Sequence, residues 1–234
     1  MLLNYVSDDD FQNLPLFADL DTNTILPYLR LVRYPKGKYL YHAGDKPDSI
    51  YLLLAGFVKL THSSPNGDEK VISIYERGGI FGELFLGKYR QHLGTAVALS
   101  DITVARMSER HLHSLIQRFP DLAMNFIRHL ADEQRETLAR MHTLMHLDAQ
   151  HRLLGTLTYM ARHYCCRSGE WTRLPTCITQ EDIASIACVN RSTASLHINE
   201  LRRKGVLGGK GRTLTINRPA IEEMLKEAGL EILE

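Results

Sequence analysis

The segment ITQEDIASIACVNRSTASLHINELRRKGVL, residues 178–207, constrains the fold of this chain more than any other part. It predicts two amphipathic helices joined by a tight turn, the first capped by Thr179 and the second by Asn190. Asp182 lies three residues after Thr179, which is a variant of the capping box. A small residue, Ala184, allows the helices to approach each other. Apolar residues hold the pair together: Ile183, Ile186, Val189, Ala194 and Ile198. The pattern is typical of a helix-turn-helix.

The residues on either side of this helix pair extend the motif. DAQHRLLGTLTYMARHY, from Asp148, predicts one helix capped by that aspartate. LGGKGRTLTINR, residues 207–218, predicts two short strands around a glycine-rich turn, and the next helix has Pro219 at its first position. Such a hairpin forms a wing whose Lys210 and Arg212 can contact phosphates. The second helix of the pair presents Arg191, Ser192, Ser195 and Leu196 from its N-terminal half, which is the part of a recognition helix that reaches base edges.

Basic residues cluster in this region, although the formal net charge of the 234-residue chain is only +1. Residues 191–218 contain one acid, Glu200, and seven basic side chains: Arg191, Arg202, Arg203, Lys204, Lys210, Arg212 and Arg218. This excess attracts a polyanion such as double-stranded DNA. An excess of basic residues would also be found on a solvated surface. The prediction that this region binds DNA therefore depends on the helix-turn-helix pattern.

Residues 36–108 have a different pattern, with short β-prone runs between turns. SIYLLLAGFVKLTH and KVISIYERGGIFGEL flank a turn containing Asn66-Gly67, a strong hairpin signal because both central positions of such a turn need positive φ. Many short strands without intervening helices predict a barrel or a sandwich.

From Ser108 to Met145 the apolar period is helical, with one break at Pro120. The later part has a near-heptad seam: Phe126, Leu130, Gln134, Thr137, Met141 and Leu144. The part of this pattern from Pro120 onward predicts one helix of about 27 residues. Such a helix spans about 40 Å, more than a small β-domain covers. We therefore expect the seam to pair with a second copy, although a helix lying on its own domain remains the alternative.

The long helix, the segment LDAQHRLLGTL, the winged helix-turn-helix and the upstream GELFL together resemble the cyclic-AMP receptor protein and fumarate–nitrate reductase regulator (CRP/FNR) family of bacterial transcription regulators. The likeness covers roughly residues 15–217. It implies an α+β fold: an N-terminal β-roll of the cyclic-nucleotide-binding jelly-roll type (1–118), a dimerisation helix (119–147) and a winged helix-turn-helix domain (148–234). It further implies a homodimer that binds a palindromic operator, responds to an effector and contacts RNA polymerase.

The resemblance carries specific roles to the DNA-binding residues. Arg191 matches the arginine that reads guanine, and Asn190 and Thr193 match phosphate-contacting positions. Ser192 replaces a common glutamate, and Leu196 replaces a common second arginine. The operator sequence of other members is therefore not transferable. Cys188 occupies a turn position that is often glycine.

The stretch GGIFGELFLGKYRQHLGTAVALS, residues 78–100, aligns with the cyclic-nucleotide cassette of this family. Gly82 and Glu83 match its Gly-Glu pair, but its Arg-Ser pair falls on His92 and Leu93. The nearest arginine, Arg90, is displaced. On the long helix, Thr137 matches a threonine that contacts adenine. We predict effector binding at the junction of the β-roll and the long helix by Gly82, Glu83, Arg90, His92 and Thr137. The expected ligand is not classical cyclic AMP, because a cationic phosphate ligand is missing.

Several alternatives stay open at this point. A cyclic-AMP regulator with a variant phosphate site is one. A haem or redox sensor is another, in view of His142 and His146 at i, i+4 and the cysteines Cys165, Cys166, Cys177 and Cys188. An iron–sulfur sensor is disfavoured because no cysteine precedes residue 165. Neither cyclic AMP nor haem is favoured as the cofactor.

Two other classes fit less well. An enzyme is disfavoured: the only His-x-His, His111-Leu112-His113, lies in a helical pattern, and no phosphate-binding loop or dinucleotide motif is present. A regulatory module that binds protein instead of DNA is opposed by the basic recognition helix. The sequence has no apolar run long enough for a membrane span and no secretory signal, so we expect a cytoplasmic protein.

Overall fold

The computed structural model describes residues 11, 14–18, 20–64, 66, 69–164, 166–211 and 213–229. They form two compact units, and the boundary between the units falls after Arg135, inside the long helix. Each unit has its own sheet structure and its own buried core.

The first unit is a β-roll of two four-stranded antiparallel sheets, with strand orders β1-β8-β3-β6 and β2-β7-β4-β5. The strands are β1 (Arg30–Tyr34), β2 (Tyr39–Tyr41), β3 (Ser49–Ala55), β4 (Val58–Ser63), β5 (Glu69–Tyr75), β6 (Ile80–Phe81), β7 (Thr95–Ala98) and β8 (Ile102–Ser108). The hairpin predicted at Asn66-Gly67 joins β4 and β5, which pair as expected. Gly67 itself lies outside the described residues. Strand β1 begins before residue 36 and was not predicted.

Strand β3 explains how this unit builds two cores. Successive strand residues point to opposite faces. Ile50, Leu52 and Leu54 enter a core shared with the helices, while Tyr51 and Leu53 enter the core between the two sheets. Because both faces are buried, β3 reads as a continuous apolar run instead of an alternating one.

Helices close one side of the first sheet. They are α1 (Thr22–Ile25), α2 (Glu109–Arg118) and the first turns of α3 (Pro120–His146), with 3-10 turns at Pro15–Phe17 and Leu26–Tyr28. Helix α2 begins where the Ser108 hydroxyl accepts from the His111 amide. Buried Asn125 on α3 donates to the carbonyls of Leu16 and Ala18, which fastens the N-terminal segment to the helix.

The 27 residues of α3 confirm the predicted long helix. Phe126 was predicted to lie on its exposed seam, but it is buried in the core of the first unit. The exposed apolar side chains of α3 are Met124, Ile127, Leu130, Leu138, Met141, Leu144 and Met145. Gln134 and Thr137 are also exposed. The other predicted seam residues are therefore exposed, whereas Phe126 is not, and the role of the seam in dimerisation stays a prediction.

The second unit contains the end of α3 and a winged helix-turn-helix. Its further helices are α4 (Ala149–His163), α5 (Gln180–Ile186), α6 (Arg191–Arg203) and α7 (Arg218–Glu227). The predicted caps Asp148, Thr179 and Asn190 are all observed, including both halves of the Thr179–Asp182 capping box. Helix α7 begins one residue earlier than predicted, so Pro219 occupies its second position.

The wing sheet has four strands, in the order β11-β12-β10-β9. The predicted pair is β11 (Leu207–Gly208) and β12 (Thr215–Asn217), and a second hairpin, β9 (Cys166–Ser168) and β10 (Trp171–Arg173), joins it. Cys166, which follows the helix predicted from Asp148, begins strand β9. Cys165 lies outside the described residues. Among the described residues, no helix is both long and apolar enough to cross a membrane.

Candidate nucleic-acid interface and sensor site

Helix α6 has one buried and one exposed face. Ala194, Ile198 and Leu201 are buried, at spacings of four and three residues. Asn190 caps the helix because its Oδ1 accepts from the Thr193 amide at 2.7 Å. This cap fixes where the helix starts and therefore which side chains face outward.

The predicted DNA-contacting residues of α6 share that outward face. Arg191, Ser192, Ser195 and Leu196 are exposed, and Thr193 is half-buried. The Ser192 hydroxyl donates to Asn190 Oδ1 at 2.7 Å, so it is oriented by the cap. The DNA-contacting roles of the individual residues stay predictions.

Arg152 on α4 is a positioning residue that the sequence interpretation missed. Its guanidinium donates to the carbonyl oxygens of Leu147 at 2.9 Å, Ala187 at 3.0 Å and Cys188 at 3.1 Å. One side chain therefore joins the end of α3 to the turn of the helix-turn-helix. Its fork of donors suits three acceptors at once, which a lysine cannot match. The segment LDAQHRL contained this arginine, but only the fold shows its acceptors.

The turn between α5 and α6 contains a strained residue. Cys188 has φ = +50°, the one non-glycine residue with positive φ in the described part of the chain. The Cys188 amide donates to Ser185 and the Val189 amide donates to Ala184, which closes the turn. A left-handed residue at this point explains why glycine is favoured there.

The wing turn exposes Lys210. Gly209 precedes it with φ = +95°, and a Cβ there would lie 2.2 Å from the Thr213 carbonyl oxygen, so only glycine fits. Arg212 lies outside the described residues. Of the other basic residues, Lys204 pairs with Glu200 at 3.3 Å and Arg218 approaches Glu222 at 3.9 Å, whereas Arg191 and Arg203 are exposed.

In the first unit, Gly82 makes the sharp turn before the 3-10 helix Glu83–Leu86. Its φ is +87°, and a Cβ would lie 2.9 Å from both the Ser49 carbonyl oxygen and the Tyr51 ring. The glycine is therefore required by backbone geometry and by close packing against β3. Both reasons hold with or without a bound ligand.

Glu83 follows this turn and is largely removed from solvent. Burial raises the pKa of Glu83, and its Oε2 has no hydrogen-bond partner among the described residues. Its charge also acts on Tyr41, whose pKa is raised by burial first and by Glu83 and Tyr51 next. Burial near Tyr41 therefore disfavours the negative charge of the Glu83 carboxyl group.

His92 occupies the first position of the expected Arg-Ser pair, and it is 5% exposed. Its ring stacks on Tyr41 with the centroids 3.6 Å apart and an interplanar angle of 7°. Burial lowers the pKa of His92, although Asp45 and Asp48 oppose that effect. Nδ1 of His92 has no hydrogen-bond partner among the described residues. A neutral, stacked imidazole does not replace an arginine as an anion ligand.

The other predicted sensor residues do not lie in the interior of the roll. Leu93 is 70% exposed, and Arg90 forms an ion pair and hydrogen bond with Glu109 at the start of α2. Thr137 belongs to the second unit and is exposed on α3. Gly82, Glu83 and His92 are thus the sensor residues packed into the roll.

The structure also shows the positions of the residues considered as metal or redox sites. The His142 and His146 rings are 4.6 Å apart on α3, and both residues are exposed. Within the described ranges, no group of three or more His, Cys, Asp or Glu side chains is arranged to hold a metal ion. Cys177 is half-buried and Cys188 is exposed, and both are thiols.

Comparison with known proteins finds the same two parts. Residues 31–119 match the cyclic nucleotide-binding domain model, and residues 151–224 match the Crp-like helix-turn-helix model. The CRP-like cAMP-activated global transcriptional regulator of Mycobacterium tuberculosis is 24% identical over 189 residues, covering 81% of this chain and 84% of the relative. The cyclic AMP receptor protein of Thermus thermophilus is 26% identical over 212 residues, covering 89% of this chain and 95% of the relative.

Among solved structures, FixK2 from Bradyrhizobium japonicum superposes with a TM-score of 0.73 at 21% identity. That match covers 83% of this chain and 96% of FixK2, and it supports the fold. The two family models together match more than half of the chain. The first match lies in the β-roll and the second in the winged helix-turn-helix. With the β-roll, the long helix and the winged helix-turn-helix in place, the chain belongs to the CRP/FNR family of DNA-binding transcription regulators.

Proposed function

We propose that this protein is a homodimeric regulator that binds a palindromic operator through α6 and the wing, and that an effector other than cyclic AMP controls it. The observation that carries the DNA-binding part is the exposed face of α6. A polar and cationic surface lies on a helix whose opposite face is locked into the helix-turn-helix core. Such a helix fits the major groove.

The proposal assigns Arg191 to a guanine, because a bidentate arginine contact with O6 and N7 is the commonest specific base contact. Asn190, Thr193, Lys210 and Arg212 are assigned to phosphates. Ser192, Ser195 and Leu196 are assigned to edges of other bases in the half-site. The three parts 1–118, 119–147 and 148–234 are proposed to serve sensing, dimerisation and DNA binding.

A gel shift on operator duplexes selected from a random pool tests the DNA assignment. We expect Arg191→Ala to weaken binding by about 1–3 kcal/mol and to relax the preference at one base pair in each half-site. Arg110→Ala removes an equally exposed arginine from α2 and should leave binding unchanged. Unchanged binding by the Arg191 variant would refute the assignment.

The same duplexes test the role of the basic cluster. If Lys210 and Arg212 contact phosphates, affinity should fall steeply between about 50 and 200 mM salt because counterions are released on binding. A flat response would mean that the cluster does not contact DNA.

The effector proposal is supported by the residues that stand in the cyclic-nucleotide cassette. The relatives from M. tuberculosis and T. thermophilus are named for cyclic AMP. In this chain His92 is stacked beneath Tyr41, and Arg90 is engaged by Glu109. Gly82, Glu83 and Thr137 remain the proposed effector contacts.

Calorimetric titration of the full-length protein with cyclic AMP tests this part. We expect no heat of binding and no change in operator affinity. Micromolar binding that tightens the DNA complex would instead show that His92 or Arg90 replaces the missing arginine.

The remaining parts of the proposal follow from regulation of transcription. The relative from M. tuberculosis is named as a transcriptional regulator, and we propose regulation without catalysis for this chain. A bacterial promoter is the site of action, so we place the protein in the cytoplasm and propose contact with RNA polymerase.

A further inference from the structure

Leu196 is an apolar side chain at the centre of the DNA-facing surface. It is 62% exposed, one turn after Ser192 and one turn before Asn199, both of which are exposed and polar. The apolar residues that hold α6 in the fold are Ala194, Ile198 and Leu201, on the other face. Packing in the folded chain therefore does not explain the leucine.

The chemistry of base edges restricts what such a side chain can face. In the major groove guanine, adenine and cytosine present hydrogen-bonding groups, and only thymine presents an apolar group, its C5-methyl. Leucine neither donates nor accepts a hydrogen bond. A polar base edge pressed against it would lose water without a replacement partner, whereas a methyl group loses nothing.

On the basis of the proposed DNA-binding function, we infer that Leu196 reads a thymine through its C5-methyl in each half-site. Leu196 lies five residues after Arg191, which is an axial rise of about 7.5 Å along the helix. One strand of B-DNA rises about 3.4 Å per base. A recognition helix in the major groove is inclined to the DNA axis, so this rise is an upper limit and the thymine should lie within about two base pairs of the guanine assigned to Arg191.

The test removes the methyl group from the DNA. Operators are first selected from a random duplex pool with the full-length protein, and each thymine is then replaced, symmetrically in both half-sites, by deoxyuridine, which lacks the methyl. Burial of one methyl group changes affinity about fourfold. We expect one thymine per half-site whose double replacement weakens binding about 15-fold.

Matched variants identify the side chain that is responsible. Leu196→Ala should bind the thymine and deoxyuridine operators nearly equally, while Ile72→Ala, at an exposed apolar position of β5, should keep the full difference. If no thymine is sensitive, or if Leu196→Ala keeps the difference, the inference is wrong while operator binding stands. If no duplex is enriched from the pool, the DNA-binding function fails first, and the inference fails with it.

Discussion

Cys188 shows how a single residue sets the geometry of the DNA-binding motif. Its backbone is left-handed, with φ = +50°, in the turn that orients α6 against α5. A side chain in this region costs roughly 1–2 kcal/mol relative to ordinary conformations. The turn keeps this conformation because the amides of Cys188 and Val189 close it.

We expect Cys188→Gly to raise the free energy of unfolding of the second unit by about 1 kcal/mol, since glycine adopts positive φ without strain. Cys188→Val should lower it, because a β-branched side chain fits this region worst. Urea unfolding followed by the fluorescence of Trp171, which lies in the same unit, measures both. Equal stability of all three proteins would mean that the turn carries no strain.

His92 makes the first unit sensitive to acid. Its pKa is lower in the folded state than in an unfolded chain, so the unfolded state binds more protons at acid pH. The contribution of His92 to the stability of the first unit should therefore be fully present above its unfolded pKa of about 6.5 and should be lost as the pH falls below it.

His92→Phe keeps a ring against Tyr41 but removes the titrating group. The loss of stability that His92 causes between pH 7 and 5 should therefore be absent in this variant. His92→Gln also removes that loss, but it lacks the stacking and should be less stable at pH 7 by roughly 1 kcal/mol. Calorimetry on the full-length protein at the two pH values separates these effects. An unchanged pH dependence in both variants would exclude His92 as the source.

At the scale of helices and strands, the sequence predicts those elements whose signals are local. Asp148, Thr179 and Asn190 cap their helices as predicted, because capping depends on residues within one turn. Strands β9 and β10 were missed. They have three residues each, and β10 is held by its pairing with β12, more than forty residues later in the chain.

Phe126 and Arg152 show the same limit at the candidate sites. Phe126 fits the helical period of the seam, but the core of the first unit determines which way it faces. Arg152 looks like an ordinary helix residue until α4 is packed against the turn of the motif. The exposed face of α6 was predictable because its period and cap are both local.

Arg152 joins α3, α4 and the turn between α5 and α6, so we expect Arg152→Lys to disturb DNA binding without touching DNA. A lysine cannot reach three carbonyl oxygens at once, and the loss should destabilise the second unit by about 2 kcal/mol. Urea unfolding and operator affinity measure the two effects. Arg173→Lys, at an exposed position of β10, should change neither. Full stability of the Arg152 variant would mean that these hydrogen bonds do not hold the turn.

At the scale of the whole molecule, the exposed seam of α3 supports the proposed homodimer. The predicted seam residues other than Phe126 recur at alternating intervals of four and three residues: Leu130, Gln134, Thr137, Met141 and Leu144. Leu130, Met141 and Leu144 are 38–52% exposed in the single chain. Such a heptad pattern is buried by a second copy of the same helix. In the proposed homodimer, two copies related by a two-fold axis would present one α6 helix to each half of a palindrome.

This arrangement makes dimerisation a condition for tight operator binding. Met141→Glu places a carboxylate from each chain in the apolar seam, which should weaken the dimer by several kcal/mol. The variant should elute as a monomer in size-exclusion chromatography with light scattering. It should bind the palindrome no better than a single half-site, because the gain from two linked contacts is lost.

Arg140→Glu adds the same carboxylate one position away, at an exposed site off the seam, and should stay dimeric. If the Met141 variant remains a dimer, α3 is not the interface. If it is monomeric yet still prefers the palindrome, the two half-sites are not read by one dimer.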